Sequence, residues 1–240
     1  MLARAIPAAI DNGDTELAHA NLRRAASSCL SAAMAYARYD ADFISARRHF
    51  SQGADYADTL CAMAGKGLPG TPWSGFFVLY CALISGRFDK ALKVANWIMT
   101  CPPVAEDSAD QHDPLAKLSG LAVLDEREKF ELYRSERYTN SWHSKHPFFG
   151  PLSVYLDLWQ AVLDRDQKSF DSAMVLREEH CIRLSNQKEE GRLEFGGGVE
   201  SKYVVDFMGL GCAISARRLG MKCDVDTVYL PRALADLAVA

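Results

Sequence analysis

Residues 81–92 read CALISGRFDKAL and predict two helices joined by a short turn. Apolar residues fill the stretch before the turn, from Phe76 to Ile84, and they recur at helical spacing after it. A short turn before Phe88 lies between the two runs and lets one helix fold antiparallel onto the next. Ala91 removes side-chain bulk at the place where the two backbones come close. The stretch therefore predicts an antiparallel helical hairpin.

Two other junctions show the same arrangement, an aromatic residue followed three positions later by alanine. The pairs are Phe43 with Ala46, Phe88 with Ala91, and Phe170 with Ala173. The turn G-R-F-D-K-A-L resembles that of a tetratricopeptide repeat, although the repeat spacing is irregular. We therefore expect an all-α protein in which stacked antiparallel helical hairpins form a compact, tetratricopeptide-like bundle or solenoid, with residues 1–240 as a single domain.

Capping and helix-breaking residues predict the helix limits. Helices are expected from about residue 15, over 41–64, 71–85 and 89–100, from 115 onward, and over 151–164, 169–186 and 200–219. Residues 223–231 (CDVDTVYLP) are the most strand-like. Trp73, Phe76 and Phe77 fit either a core or a dimer seam.

Composition places the chain among ordinary globular proteins. Of its 240 residues, 49% are hydrophobic and 24% are charged, and the net charge is −4. A weakly acidic chain without a block of basic residues lacks the charge pattern of a nucleic-acid-binding protein. The N-terminus lacks the apolar core of a signal peptide, and no apolar run approaches the ~20 residues of a membrane span. We expect a cytoplasmic protein.

Seven cysteines suggest reduced thiols rather than disulfides. Their number is odd, no two are spaced C-x-x-C, and most lie in apolar helical runs. No phosphate-binding loop, zinc-protease motif or nucleophile elbow is present, so we expect no enzyme, no catalytic residue, no metal and no cofactor. His143 with His146, and Gly196 to Gly198, read more simply as loop residues. A cysteine–histidine nucleophilic pair stays open, because nothing selects one thiol among seven.

Acidic residues are concentrated between Val104 and Glu131. Such groups on a helical scaffold can steer a basic protein partner, and an aromatic residue nearby can anchor it. The alternatives are a solvated helix face and, for Trp142, a place in the core. The predicted partner-binding residues are Glu106, Asp107, Asp110, Asp113, Glu128, Glu131 and Trp142. In the helix 169–186, Glu178, Glu179 and His180 are expected to face solvent, and Cys181 is expected in the core.

The C-terminal residues carry a pattern that resembles immunity protein family 49 of bacterial polymorphic-toxin systems. A small-residue helix with Arg-Arg-x-Gly is followed by an aspartate, by Tyr-Leu-Pro and by a leucine-containing helix. The matching positions are Ala213 to Arg218, Gly220, Asp226, Tyr229 to Pro231 and Leu234. Ala235 stands where the family usually has a second leucine. PoNe-nuclease immunity proteins, whose tails also contain Tyr-Pro, are a related possibility.

The resemblance implies a protein that binds and neutralises a toxin domain made by the same bacterium. Gly220 is expected to end its helix in a left-handed cap, and Tyr229 to Pro231 to pin the tail on the bundle. Two other functions stay open. A helical-repeat adaptor or chaperone would bind a peptide in a concave groove, and an enzyme would need an unfamiliar all-α site.

Overall fold

The structure is a computed structural model that describes residues 2–102, 112–137, 152–189 and 205–239. Over these ranges the chain is helical and has no strand, which confirms the all-α prediction; residues 223–231 form a loop. The helices are α1 (Leu2–Asp11), α2 (Thr15–Ala35), α3 (Phe43–Gly65), α4 (Pro72–Ile84), α5 (Phe88–Thr100), α6 (His112–Val123), α7 (Arg127–Arg137), α8 (Leu152–Asp164), α9 (Gln167–Glu189), α10 (Phe207–Arg218) and α11 (Arg232–Val239). A π-helical turn, Tyr36–Asp40, follows α2 directly.

Four hairpins share one turn. In each turn, one residue adopts left-handed backbone angles, and its N–H donates to the carbonyl three positions earlier. The N–H of the following residue donates to the carbonyl five positions before it. These bonds satisfy the last carbonyls of the first helix. These left-handed residues are Gly13, Gly86, Asp125 and Arg165. Five positions after each of them lies a buried residue of the second helix: Ala18, Ala91, Phe130 and Phe170. Ala41 and the buried Ala46 have the same spacing, but Ala41 follows the π-helical turn.

This register corrects one copy of the predicted repeat. Phe170 occupies the position of Ala46 and Ala91, and not that of the other two aromatic residues. The hairpin of α6 and α7 is a further copy of the repeat. The pattern of an aromatic residue followed by alanine does not indicate it, because Phe130 itself fills the buried position. The position therefore requires a side chain that fits the gap between two helices, and it does not require alanine.

The helices stack as a solenoid that closes on itself. From α2 to α8, most helices contact the next one and the next but one along the chain, as in helical repeats. Helix α10 then packs against both α8 and α4. Helices α4, α6, α8 and α10 consequently form a closed ring, which we call the inner ring. Helix α11 covers α3, α4 and α10.

Tyr80 of α4 lies where all four inner-ring helices meet. Its hydroxyl is 3.1 Å from Ser119 Oγ in α6, and Trp159 Nε1 in α8 donates to it at 3.3 Å. Its ring meets Phe207 of α10 edge-on, with 5.3 Å between centroids. Gly211 of α10 faces the same ring at a distance that leaves no room for a Cβ. Tyr80 thus joins the four helices by both hydrogen bonding and packing.

The apolar helix α4 is core throughout its length. Twelve of its 13 residues are buried, including Phe76 and Phe77, and Trp73 is half-buried against Phe76. This resolves the choice between core and dimer seam in favour of the core. Within the described part of the chain, no helix is both long enough and apolar enough to cross a membrane.

Candidate functional site

The predicted partner-binding residues fall into two groups. Glu106, Asp107, Asp110 and Trp142 lie outside the described residues. The other three, Asp113, Glu128 and Glu131, belong to α6 and α7.

Asp113 is engaged inside the fold. Its Oδ1 accepts a hydrogen bond of 2.6 Å from the backbone N–H of Trp73 in the first turn of α4. The ring of Trp73 also lies against His112, with 4.4 Å between centroids. At the other end of the same connection, Lys117 Nζ donates to the carbonyl of Cys101. The chain is therefore anchored on both sides of residues 103–111, and the carboxylate of Asp113 caps α4.

Two acidic side chains in or just before α7 are paired with neighbouring bases. Glu131 accepts from Arg127 Nε at 3.0 Å, and Arg127 also pairs with Asp164 of α8 at 2.7 Å. Glu126 pairs with Lys129 at 3.1 Å. By contrast, Glu128 is exposed and has no ion-pair partner among the described residues. Of the three described candidates, Glu128 is the one whose charge remains open to a partner.

A buried polar cluster links α8, α9 and the start of α10. Arg177 Nε donates to Asp206 Oδ2 at 2.6 Å, and the two side chains are only 5% and 2% exposed. Asp206 Oδ1 accepts from the hydroxyl of Tyr155 at 2.8 Å and from the N–H of Gly209 at 3.1 Å, so it also caps α10. Burial alone would lower the pKa of Arg177, but the carboxylate of Asp206 raises it above the ordinary value. The cluster is a structural ion pair that joins α9 to the start of α10.

The neighbouring residues of α9 correct one expectation. Cys181 is buried as predicted, but His180 is also buried, at 4% exposure, and does not face solvent. Sequence reasoning also missed the buried Arg177. The burial of Arg177 is hard to predict, because a run of charged residues on a helix usually marks a solvated face.

The seven thiols are poor nucleophile candidates. All are free, five are buried, and burial raises the pKa of every one, to about 12 for Cys101 and Cys181. A nucleophilic cysteine needs a thiolate at neutral pH and hence a lowered pKa. Among the residues that the structure describes, no group of three or more His, Cys, Asp or Glu side chains is placed to hold a metal ion. His143, His146 and Gly196 to Gly198 lie outside these residues.

A pocket of about 390 Å³ lies between the loop after α3 and the C-terminal end of α5. Its walls include Pro69, Gly70, Trp97 and Pro102. His19 of α2 is buried against Gly70, and its Nε2 is 3.3 Å from the carbonyl of Leu68. Its Nδ1 has no hydrogen-bond partner within the described ranges, and burial lowers the pKa of this imidazole. The pocket suits an apolar group, with a neutral histidine behind its wall.

A surface that the sequence did not single out lies where α2 passes into α3. Tyr36 is 38% exposed, Tyr39 66% and Ile44 78%. Tyr36 stacks on His49 of α3, with 5.1 Å between ring centroids. The π-helical turn and the left-handed Ala41 hold these side chains outward. We call this surface, Tyr36 to Ile44 together with Arg48, the α2–α3 corner.

The C-terminal residues that carry the family resemblance serve the fold. Gly220 ends α10 with φ +81°, and this confirms the expected left-handed cap. The carbonyl of Tyr229 accepts a 2.8 Å hydrogen bond from the N–H of Asp206, and Leu230 and Pro231 are buried. The tail is therefore pinned at the buried polar cluster, as expected. Comparison of the chain with protein-family models, curated proteins and solved structures found no match.

Proposed function

We propose that this protein is a cytoplasmic immunity protein, which binds a toxin domain made by the same bacterium and neutralises it by covering its active or substrate-binding surface. The C-terminal resemblance suggests this role. The proposal involves neither a cofactor nor nucleic acid, and it assigns no catalytic step to this chain.

The observation that carries the proposal is the closure of the inner ring. The space that an open solenoid offers to a ligand is filled by α10 and by the rings of Tyr80, Trp159 and Phe207. Binding must then use the outer surface, which suits a folded partner better than an extended peptide. Closure therefore counts against the adaptor hypothesis, which needs a concave groove.

The buried polar groups also favour binding over catalysis. Tyr155 and Arg177 both donate to Asp206, and their role in holding three helices together accounts for their burial. Burial raises the pKa of the thiols, which opposes a cysteine nucleophile.

We keep the predicted acidic set and Trp142 as toxin-binding residues, apart from Asp113, whose carboxylate caps α4. Glu128 is the described member best placed to test. Glu128→Lys should slow association with the toxin and make the association rate less sensitive to added salt, because exposed charges act mainly on the encounter rate and salt screens only the attraction that remains. Glu16→Lys, the same change at an exposed position of α2, is the matched control.

The decisive experiment is affinity capture of the tagged protein from its own host, with mass spectrometry of the proteins that resist a high-salt wash. We expect one stoichiometric partner with a toxin-like domain, and co-expression of this protein should abolish the toxicity of that domain. Capture of several different, weakly bound proteins would favour the adaptor hypothesis instead. A captured domain whose toxicity persists would refute neutralisation.

A further inference from the structure

The α2–α3 corner has the composition of a protein interface. Tyr39 and Ile44 are among the most exposed large apolar side chains in the described part of the chain. Single exposed apolar residues are ordinary, but here they share one corner with arginines. Interface hot spots are enriched in tyrosine and arginine around an apolar centre.

The backbone of the corner is held in an uncommon conformation. The π-helical turn is a rare element that is often found at functional sites. Ala41 follows it with φ +48°, which is unfavourable for a residue with a Cβ. Asp42 then caps α3 through a 2.9 Å hydrogen bond from the N–H of Ser45, and hydrogen bonding by Ser45 lowers the pKa of this carboxyl. Strain of this kind persists where the surrounding structure fixes it.

The corner carries unpaired charges of both signs. Arg38, Asp40 and Arg48 are exposed, and none has an ion-pair partner among the described residues. Many exposed charges elsewhere are paired, for example Lys93 with Asp58. A two-fold axis brings a surface against its own copy, so the patch at an isologous interface must be self-complementary. Exposed charges of both signs make the corner complementary to its own copy, whereas a strongly acidic or basic partner would favour a patch of one sign.

We infer that the α2–α3 corner binds a second copy of this chain, with Tyr39 and Ile44 at the centre and Arg48 of each protomer facing Asp40 of the other. A stable dimer buries at least about 1,200 Å² in total. Each side of such an interface has roughly 20–30 residues, and the corner, residues 36–44 with Arg48, has ten, so the interface extends over the exposed residues beside it, Arg24 and Ser28 of α2 and Gln52 of α3. This inference does not depend on the toxin-binding proposal, and it leaves α7 free for a toxin.

Sedimentation velocity of the full chain, from about 1 µM to about 200 µM, tests the inference. We expect a concentration-dependent dimer. Ile44→Asp should weaken self-association at least about 30-fold, as for a hot-spot residue. Leu132→Asp is the matched control, since Leu132 is 61% exposed on α7, and it should leave the dimer intact. Thermal melts of both variants verify folding.

A charge exchange identifies the pairing. Arg48→Asp alone should dissociate the dimer, and adding Asp40→Arg should restore it, because the exchanged charges again face each other. A monomer over the whole range, or a dimer that Ile44→Asp leaves unchanged, would overturn the inference. Loss of the dimer in Arg48→Asp without rescue by the exchange would overturn the assigned pairing.

Discussion

Removing one oxygen atom from the centre of the inner ring should cost a measurable part of the protein's stability. Ser119 Oγ donates its proton to the carbonyl of Leu115 at 2.9 Å, so the hydroxyl of Tyr80 must donate to Ser119. The same hydroxyl accepts from Trp159 Nε1. Tyr80→Phe breaks both links and leaves the indole N–H buried without an acceptor.

The expected loss follows from these two effects. An ordinary hydrogen bond contributes about 1 kcal/mol net, and a buried donor left unsatisfied costs about 1–3 kcal/mol. The packing of the ring is unchanged, so Tyr80→Phe should lower the free energy of unfolding by about 2–3 kcal/mol. Urea denaturation should show a lower midpoint with an unchanged slope. In a chain of this size, the melting temperature should fall by about 5–10 °C.

Two comparisons separate this effect from general damage. Tyr56 of α3 is half-buried and its hydroxyl makes no hydrogen bond to the residues that the structure describes, so Tyr56→Phe should stay within about 0.5 kcal/mol of the parent. In a double-mutant cycle with Trp159→Phe, the combined loss should be smaller than the sum, because no N–H is then stranded. A loss below about 0.5 kcal/mol for Tyr80→Phe would refute the proposed chain of hydrogen bonds.

Three further predictions test other parts of the fold. Ala41→Gly should stabilise the protein by about 1 kcal/mol, since glycine tolerates positive φ. Gly86→Ala should have a larger effect in the opposite direction, because φ is +77° there and a Cβ would meet the Ala238 carbonyl. Both effects can be read from thermal melts, and a neutral Ala41→Gly would contradict the argument. The lowered pKa of His19 makes the unfolded chain bind more protons below about pH 6.5. Stability should therefore be complete above that pH and fall below it, and His19→Gln should flatten this dependence in urea titrations. Asp206→Ala should cost about 3–5 kcal/mol by stranding the Arg177 charge; a loss under about 1 kcal/mol would rule out a dry ion pair.

Local sequence signals accounted for most of the helices but not for α1, for the turn between α6 and α7, or for the arrangement of the helices. Asp14 caps α2 through a hydrogen bond from the N–H of Leu17, and Pro72 begins α4 in the first-turn position that proline favours. Such signals act within a few residues and are visible in the chain itself. The contact between α4 and α10 depends on shape across the whole molecule, so no local pattern indicates it.

The two features that the sequence missed have separate causes. His180 and Arg177 lie in a stretch that reads as solvated, yet both are buried. For Arg177, the compensating charge comes from Asp206, which lies 29 residues later in the sequence. Near Tyr36 and Tyr39, the π-helical turn inserts an extra residue and rotates the next part of the chain by about 100°. A regular helical pattern therefore misjudges which side chains at this corner face solvent.

The closure of the inner ring also fixes the order in which the molecule can be completed on the ribosome. An open solenoid can grow from either end, since each repeat needs only its neighbour. Here α4 ends at residue 84 and α10 begins at residue 207, so the two faces that must meet lie 123 positions apart in the sequence. The earlier hairpins emerge first, while Phe76 and Tyr80 still await Phe207. During synthesis, an aromatic surface therefore stays uncovered until α10 has left the ribosomal tunnel. In this interval the exposed surface of α4 is the part of the chain that most needs a chaperone.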